Sequence, residues 1–475
     1  MKNPPAGGRP RAAIAAPTKH RTSMARRFNH CQDLLLIAII ASTVARSPQA
    51  CAATLEVGPG KAFSQIEKAC GQARTGDTIL VYPLTGNAAY EQVVVTVRER
   101  DLTFRAAPAE KGKHIRLSGL GFNYTGEGNT PRAIFQFSPG ADGGLLEGFE
   151  LTGAHNNSHN GAAVRIHQAN HVTIRRCSIH HNDMGIMSNG DGTPATAVDQ
   201  RIEFCEIHHN GDPAEPGYNH NLYLGGTSAT LSYCEIHHSL TGHNIKSRTH
   251  HMRVQYCYVH HSANRELDLV DSVDTARPDS HAVLLGNIIV KDPQSKGNRG
   301  VVHFGHDGDR QRDGTLFLAF NTILTPFIAP IVDLSSPKTR ANLTGNLITD
   351  GGVRQNRQVI AAARGGARLG NVIGTHNWFS GNFACDGTGL DDKTNRSNDT
   401  MADLFTNPAA HDFRLARSAP PDFASSLSID QLILPPIPGM PDTDAQPALK
   451  WQYRHPADRE ARPADKRLTY GALAR

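Results

Sequence analysis

Four near-copies of one hexapeptide constrain this chain more than any other feature. They read Arg176-Cys177-Ser178-Ile179-His180-His181, Phe204-Cys205-Glu206-Ile207-His208-His209, Tyr233-Cys234-Glu235-Ile236-His237-His238 and Tyr256-Cys257-Tyr258-Val259-His260-His261. Their cysteines are 28, 29 and 23 residues apart. Asparagine then takes the cysteine's place in Asn287-Ile288-Ile289, Asn321-Thr322-Ile323, Asn346-Leu347-Ile348 and Asn371-Val372-Ile373. A unit of this length, with Gly-rich turns and single inward aliphatics, is one coil of a solenoid, because one unit cannot bury its apolar face alone. A second strand belongs to each coil: Val164-Arg165-Ile166, Ile186-Met187-Ser188, Leu222-Tyr223-Leu224, Ile245-Lys246-Ser247, Leu267-Asp268-Leu269 and Val302-His303-Phe304. The outer residues of these triplets are mostly apolar and point inward, and the middle one points out. No stretch holds apolar spacing of three and four for long, so a helical reading fails. The expected fold is all-β, a parallel β-helix.

The ends fit the same reading. Ala62–Ala73 is a short amphipathic segment with Ile66 and Ala69 on one face, suited to capping the first coil ahead of the strand Thr78–Val81. The coils are expected to fill residues 54–415, and the Pro-rich tail over 416–475 to pack irregularly on them. Residues 1–53 read as a leading extension and an export signal. Arg26 and Arg27 precede the apolar run Leu34–Ala45, and small residues follow at Ala50, Ala52 and Ala53. That run is shorter than the ~20 residues a membrane span needs. Cleavage is expected between Ala50 and Thr54, which makes the protein secreted or periplasmic, with no stable membrane insertion.

Removing that segment changes the charge argument. Residues 1–53 carry eight Lys/Arg and one acid, a net +7 against +5 for the whole chain, so −2 remains. The basicity belongs to the signal, and a nucleic-acid partner is not expected. The expected partner is an acidic polysaccharide, bound by a monomer along the stacked strands.

Cys177, Cys205, Cys234 and Cys257 recur once per coil and form no CxxC pair. They read as an interior stack of reduced thiols, with Asn287, Asn321 and Asn346 as its amide continuation. His180, His208, His237 and His260 fall on one strand column, about 5 Å apart. A flat imidazole stack converges poorly on a metal ion, which favours a structural role.

The best functional candidate is the column around Lys246. Its outward residues in register are Arg165, Met187, Tyr223, Lys246, Asp268 and His303. Two residues earlier, on the same face by alternation, come Asn221, Asn244 and Glu266, and Arg248 lies two residues after Lys246. His220, His243 and Asp271 lie at the edges. In β-elimination on a uronate, a base takes the proton α to the carboxylate. A cation neutralises that carboxylate, and an acid protonates the leaving oxygen. Lys246 or His243 suits the base, Arg248 the neutraliser and Tyr223 the acid. Asn221, Asn244, His220, Arg165 and His303 suit substrate binding. Glu266, Asp268 and Asp271 have the hard oxygen chemistry of a Ca²⁺ site. Three alternatives stay open. Two carboxylates, Glu266 with Asp268 or Asp271, would serve a glycoside hydrolase. An epimerase is the second, and a glycan-binding protein without catalysis the third.

The repeats over Thr54 to Leu415 resemble the pectate-lyase superfamily of right-handed parallel β-helix proteins. Within them, Asn244-Ile245-Lys246-Ser247 resembles the lysine-bearing strand of the chondroitinase B and alginate lyase family. That resemblance implies a polysaccharide lyase with Lys246 as base. The family's Arg one coil later is replaced here by Asp268. Pectin-type hydrolases resemble one another in an Asp-Asp pair, present here only as Asp391-Asp392. The alginate epimerase strand has only a faint echo in Asp279-Ser280-His281.

Overall fold

A computed structural model describes residues 52–108, 114–353, 358–380, 383–390, 393–398, 401–419, 427, 432–436, 438, 449–463 and 468–474. The expected export signal lies outside the described residues except for its last two, and so does Asp391-Asp392.

The chain winds as a right-handed parallel β-helix, the hand that strand twist imposes on parallel crossovers. Each full coil contributes strands to three columns. The first column contains Ala162–His167, Met184–Asn189, the start of Leu222–Ser232, the start of Ile245–Gln255, Leu267–Val270, Val302–Gly305 and Val332–Leu334. The second runs from Thr54–Val57 and Thr78–Val81 up to Val372–Thr375 and Gly389–Leu390. The third is an 11-stranded sheet from Ile115–Ser118 to Arg396–Asn398. Leu222–Ser232 and Ile245–Gln255 are each 11 residues long and pass through both the first and second columns, fusing them into one 21-stranded sheet. Two columns per coil were evident in the repeats; the third was not.

Alternation sets what fills the interior. Ile186, Leu222, Leu224, Ile245, Leu267, Leu269 and Phe304 are fully buried, as are Ile207, Ile236 and Val259 of the third column. The α-helix Ile66–Cys70 buries Ile66 and Ala69 against the first strands and is shorter than the amphipathic segment suggested.

Two ladders stitch the corners. Before each third-column strand stand the free thiols of Cys177, Cys205, Cys234 and Cys257. The backbone N–H of Cys177 meets Cys205 Sγ at 3.4 Å, and that of Cys234 meets Cys257 Sγ at 3.4 Å. Cys257 N–H then donates to Asn287 Oδ1 at 2.9 Å. Asn287, Asn321, Asn346, Asn377 and Asn395 follow, joined amide to amide at 2.9–3.0 Å. The fourth asparagine is Asn377, not Asn371, which lies in the turn Leu369–Asn371 before a second-column strand. After each third-column strand a second ladder runs through Asn182, Asn210, Asn221 and Asn244 at 2.8–2.9 Å.

The described residues of the tail include regular structure. Trp451–Arg454 and Asp458–Ala461 form an antiparallel hairpin. Tyr453, Tyr470 and Leu473 pack with Tyr258, Ile288, Leu347 and Trp378 over the third column. Leu427, Leu432 and Leu449 cover Tyr233, Tyr256 and Phe320 at the neighbouring corner. Among the described residues, no helix is long and apolar enough to cross a membrane.

Candidate functional site

The first column stacks Arg165, Met187, Tyr223, Lys246, Asp268, His303 and Asp333 in adjacent register. Each is preceded by an inward aliphatic, so a one-residue slip would turn the whole set into the interior. Lys246 Nζ lies 3.2 Å from Asp268 Oδ2 and 2.7 Å from Asp307 Oδ2. Arg248 Nη2 reaches the same Asp307 oxygen at 2.9 Å, and its Nε donates to Tyr223 Oη at 3.0 Å. Two cations therefore grip one exposed carboxylate beside a phenol.

Asp268 is not an exposed member of the face, as alternation alone suggested. It is 2 % exposed, lying beneath its neighbours. His303 Nδ1 is 2.7 Å from Oδ1, Arg265 Nη1 3.3 Å from Oδ1 and His243 Nε2 3.4 Å from Oδ2. Burial pushes its carboxyl up, but the His303 hydrogen bond and the charges of His243, Lys246 and His303 outweigh it and hold it well below the usual range. His303 is also buried, with Nε2 2.6 Å from Ser335 Oγ and 2.9 Å from Arg364 Nη2. Its ring holds Asp268 from within the fold.

His243 and His220 stack with centroids 5.2 Å apart, and His220 meets Tyr223 edge-on at 5.6 Å. Burial pushes His243 down to about 4 and His220 well below its ordinary value, so both are neutral at neutral pH. His243 Nδ1 is buried with no hydrogen-bond partner among the described residues.

The structure moves several expected residues off the face. Asn221 and Asn244 are fully buried in the corner ladder, where neither can touch a glycan. Glu266 is also fully buried and ends that ladder, accepting from Asn244 Nδ2 at 2.7 Å and pairing with buried Lys291 at 3.5 Å. Burial pushes Glu266 up and Lys291 down, and their mutual attraction opposes both shifts. The physical reason is that these three residues precede their strands. They sit in the turn, where two-residue alternation does not apply. Asp271 accepts the backbone N–H groups of Asp307, Gly308 and Arg310 at 2.6–2.8 Å. Burial pushes it up, and those three donors pull it below its usual value. It anchors the loop that presents Asp307. Glu266, Asp268 and Asp271 therefore do not gather as a Ca²⁺ site.

Acid and histidine clusters able to hold a cation, each built on buried Glu235, do exist among the described residues. They are Glu235 with His411 and His455, and Glu235 with His237 and His260. Both lie by the third column. Arg165 remains on the first face, where it lines a cavity of about 420 Å³ with Arg98, Arg132, Gln136 and His167. Sequence reasoning missed Asp307, Arg265, Asp333 and Arg364. Asp333 carried a usable signal, since Val332-Asp333-Leu334 continues the apolar-polar-apolar triplet. Asp307 carried none, because it lies in an irregular loop.

No protein-family model matches the chain, and no curated protein matches it in sequence. Among solved structures it is similar to a pectate lyase, Pel9A, at 13% identity and a TM-score of 0.48, over 79% of this chain and 93% of that one. It is also similar to an alginate lyase from Paenibacillus sp. str. FPU-7, at 13% identity and a TM-score of 0.39, over 74% and 99%. A third is the pectin methylesterase from carrot, at 11% identity and a TM-score of 0.30, over 71% and 87%. Each is a likeness of fold and carries no residue assignment.

Proposed function

We propose that this chain is an exported, monomeric polysaccharide lyase that cleaves a uronate-containing glycan by β-elimination on the first face. The observation that carries the reading is the joint grip of Lys246 and Arg248 on the Asp307 carboxylate beside Tyr223. A uronate carboxylate displacing Asp307 would meet the Arg248 guanidinium, which lowers the cost of the carbanion-like transition state, and would lie beside Lys246, which enters the step as a neutral amine. The base takes the α proton, its electrons form the C=C bond, and the C–O bond to the leaving sugar breaks. Tyr223 gives its proton to that oxygen, and Arg248 stabilises the phenolate left behind. Lys246 is the base, because its Nζ lies on the face while His243 lies under it, toward Asp268. Three coils upstream, about 14 Å away at the usual strand spacing, Arg165 offers a subsite for further carboxylates together with Arg132 and Arg98, one and two coils beyond it.

In this reading the protein's own cations neutralise the substrate, and Ca²⁺ is not required. The two-carboxylate hydrolase reading loses Glu266 and Asp271 to buried structural roles. The test is incubation with a panel of uronate polysaccharides, with and without Ca²⁺, following ultraviolet absorbance of the unsaturated product. Loss of turnover in Lys246→Ala, with His243→Ala still active, assigns the base to Lys246. A rate already level above about pH 5 assigns it to neutral His243. Oligosaccharide binding without product on any substrate replaces the lyase with a glycan-binding protein.

A further inference from the structure

The third column carries a cluster that this chemistry does not use. Glu235 stands in the strand Glu235–His237 and is buried. Its Oε1 lies 3.2 Å from His260 Nε2. Its Oε2 accepts from Tyr453 Oη at 3.1 Å and lies 3.1 Å from His455 Nδ1. The His411 ring stacks on His455, with centroids 4.4 Å apart. One donor atom each from Glu235, His411 and His455 lies within 4.8 Å of the others. These donors come from three separate segments: a coil strand, the turn after Pro408–Ala410, and the turn of the tail hairpin. His411 and His455 also line a cavity of about 450 Å³ with Asn407, Asp412 and Tyr453.

We propose that Glu235, His411 and His455 bind a transition-metal ion of the Zn²⁺ type, which clips the C-terminal hairpin onto the third column. One carboxylate with two imidazoles is a borderline donor set. It suits Zn²⁺, Cu²⁺ or Ni²⁺, whereas Ca²⁺ takes six to eight oxygens. Its donors come from three segments, whereas those of the imidazole stack come from one strand column. Glu235, His237 and His260 share the carboxylate, but both imidazoles belong to that stack and neither lines the cavity.

The surroundings support the ligands. Tyr453 and His260 each hold one Glu235 oxygen, and Tyr258 Oη lies 3.4 Å from His411 Nδ1. Such outer partners orient ligands and tune affinity. Tyr258 and Phe413 pack beside the cluster and exclude water from its inner side. The cavity leaves room for a water ligand on the outer side. The ion's structural effect follows from topology. It would join residues about 175 and 220 positions apart in sequence, and long closures gain the most from a clip.

The experiment is titration of ZnCl₂ into the full-length, chelator-treated protein by calorimetry, with thermal unfolding run in parallel. The expected result is one ion per chain and a Tm that rises with zinc. His411→Ala and His455→Ala should each weaken binding at least ~10-fold, the usual scale for a disturbed metal site. His209→Ala, in the second imidazole stack, should leave it unchanged. The visible spectrum of the Co²⁺-loaded protein should lose its tetrahedral bands in His455→Ala, a readout independent of folding stability. Absence of saturable binding overturns the proposal. So does zinc binding that survives both ligand variants and disappears in His209→Ala, which places the ion on the stack.

Discussion

On the first face the outward side chain changes at every coil, whereas on the third the same imidazole recurs four times. His180, His208, His237 and His260 stack at 4.8–4.9 Å, and His181, His209, His238 and His261 form a parallel stack at 5.0–5.6 Å. The members of each pair face each other through Nδ1 at 2.7–2.9 Å. The first face mixes Arg, Tyr, Lys, Asp and His, and its ion pairs cross between coils. The tail hairpin packs by the third column and leaves Lys246, Arg248 and Tyr223 partly accessible. Identical neighbours make a face that holds coils together. Dissimilar neighbours make one on which charge can be arranged around a substrate.

The sharpest way to break that contrast is Lys246→Ala. Turnover on the cleaved glycan should fall at least ~100-fold, the scale of losing a general base. Unfolding free energy should change by about 1 kcal/mol or less, since Arg265, His243 and His303 still hold Asp268. An active preparation whose rate survives the change would move the chemistry off this face.

The third face should show itself through stability instead. Burial, with repulsion from neighbouring imidazoles, pushes His208 down to about 3 and His238 down to about 4, against an ordinary 6.5. Groups with a lowered native value bind protons more readily when unfolded. Their contribution is present above pH 6.5 and is lost as pH falls toward 4 and then 3. His208 is faced by His180, His237, His209 and Glu206, so protonation there adds charge to an already crowded stack. The Tm should therefore drop steeply across that window, and His208→Gln with His238→Gln should flatten the drop. An unaltered slope in the double variant would assign acid sensitivity to other groups.

The smallest expected effect tests the occupant of the first face. Asp307 competes for the cations that a uronate would use. Asp307→Asn should lower KM about fivefold, the scale of one partly exposed ion pair, with kcat nearly unchanged. A raised KM would mean that Asp307 organises the site rather than filling it.

How far the sequence reached depends on where each residue sits in its coil. Tyr223, Lys246 and Asp268 were placed in register because an inward aliphatic precedes each of them within a strand. The free cysteine stack followed from the same spacing. Asn221, Asn244 and Glu266 were misplaced because they precede the strand, where the corner turn decides the direction of a side chain. The loop acid Asp307 was invisible, since the Asp271 carboxylate that fixes its position lies 36 residues away.

By itself, the sequence determined the coil, its repeat and two of the three strand columns. Those properties follow from a period of two and from apolar burial, both local. Only the tertiary structure decided which polar residues turn inward at corners and which acid the loop sets between Lys246 and Arg248. It alone brought His411 and, from the tail, His455 to Glu235. Those outcomes depend on contacts between segments far apart in the chain, and no local periodicity encodes them.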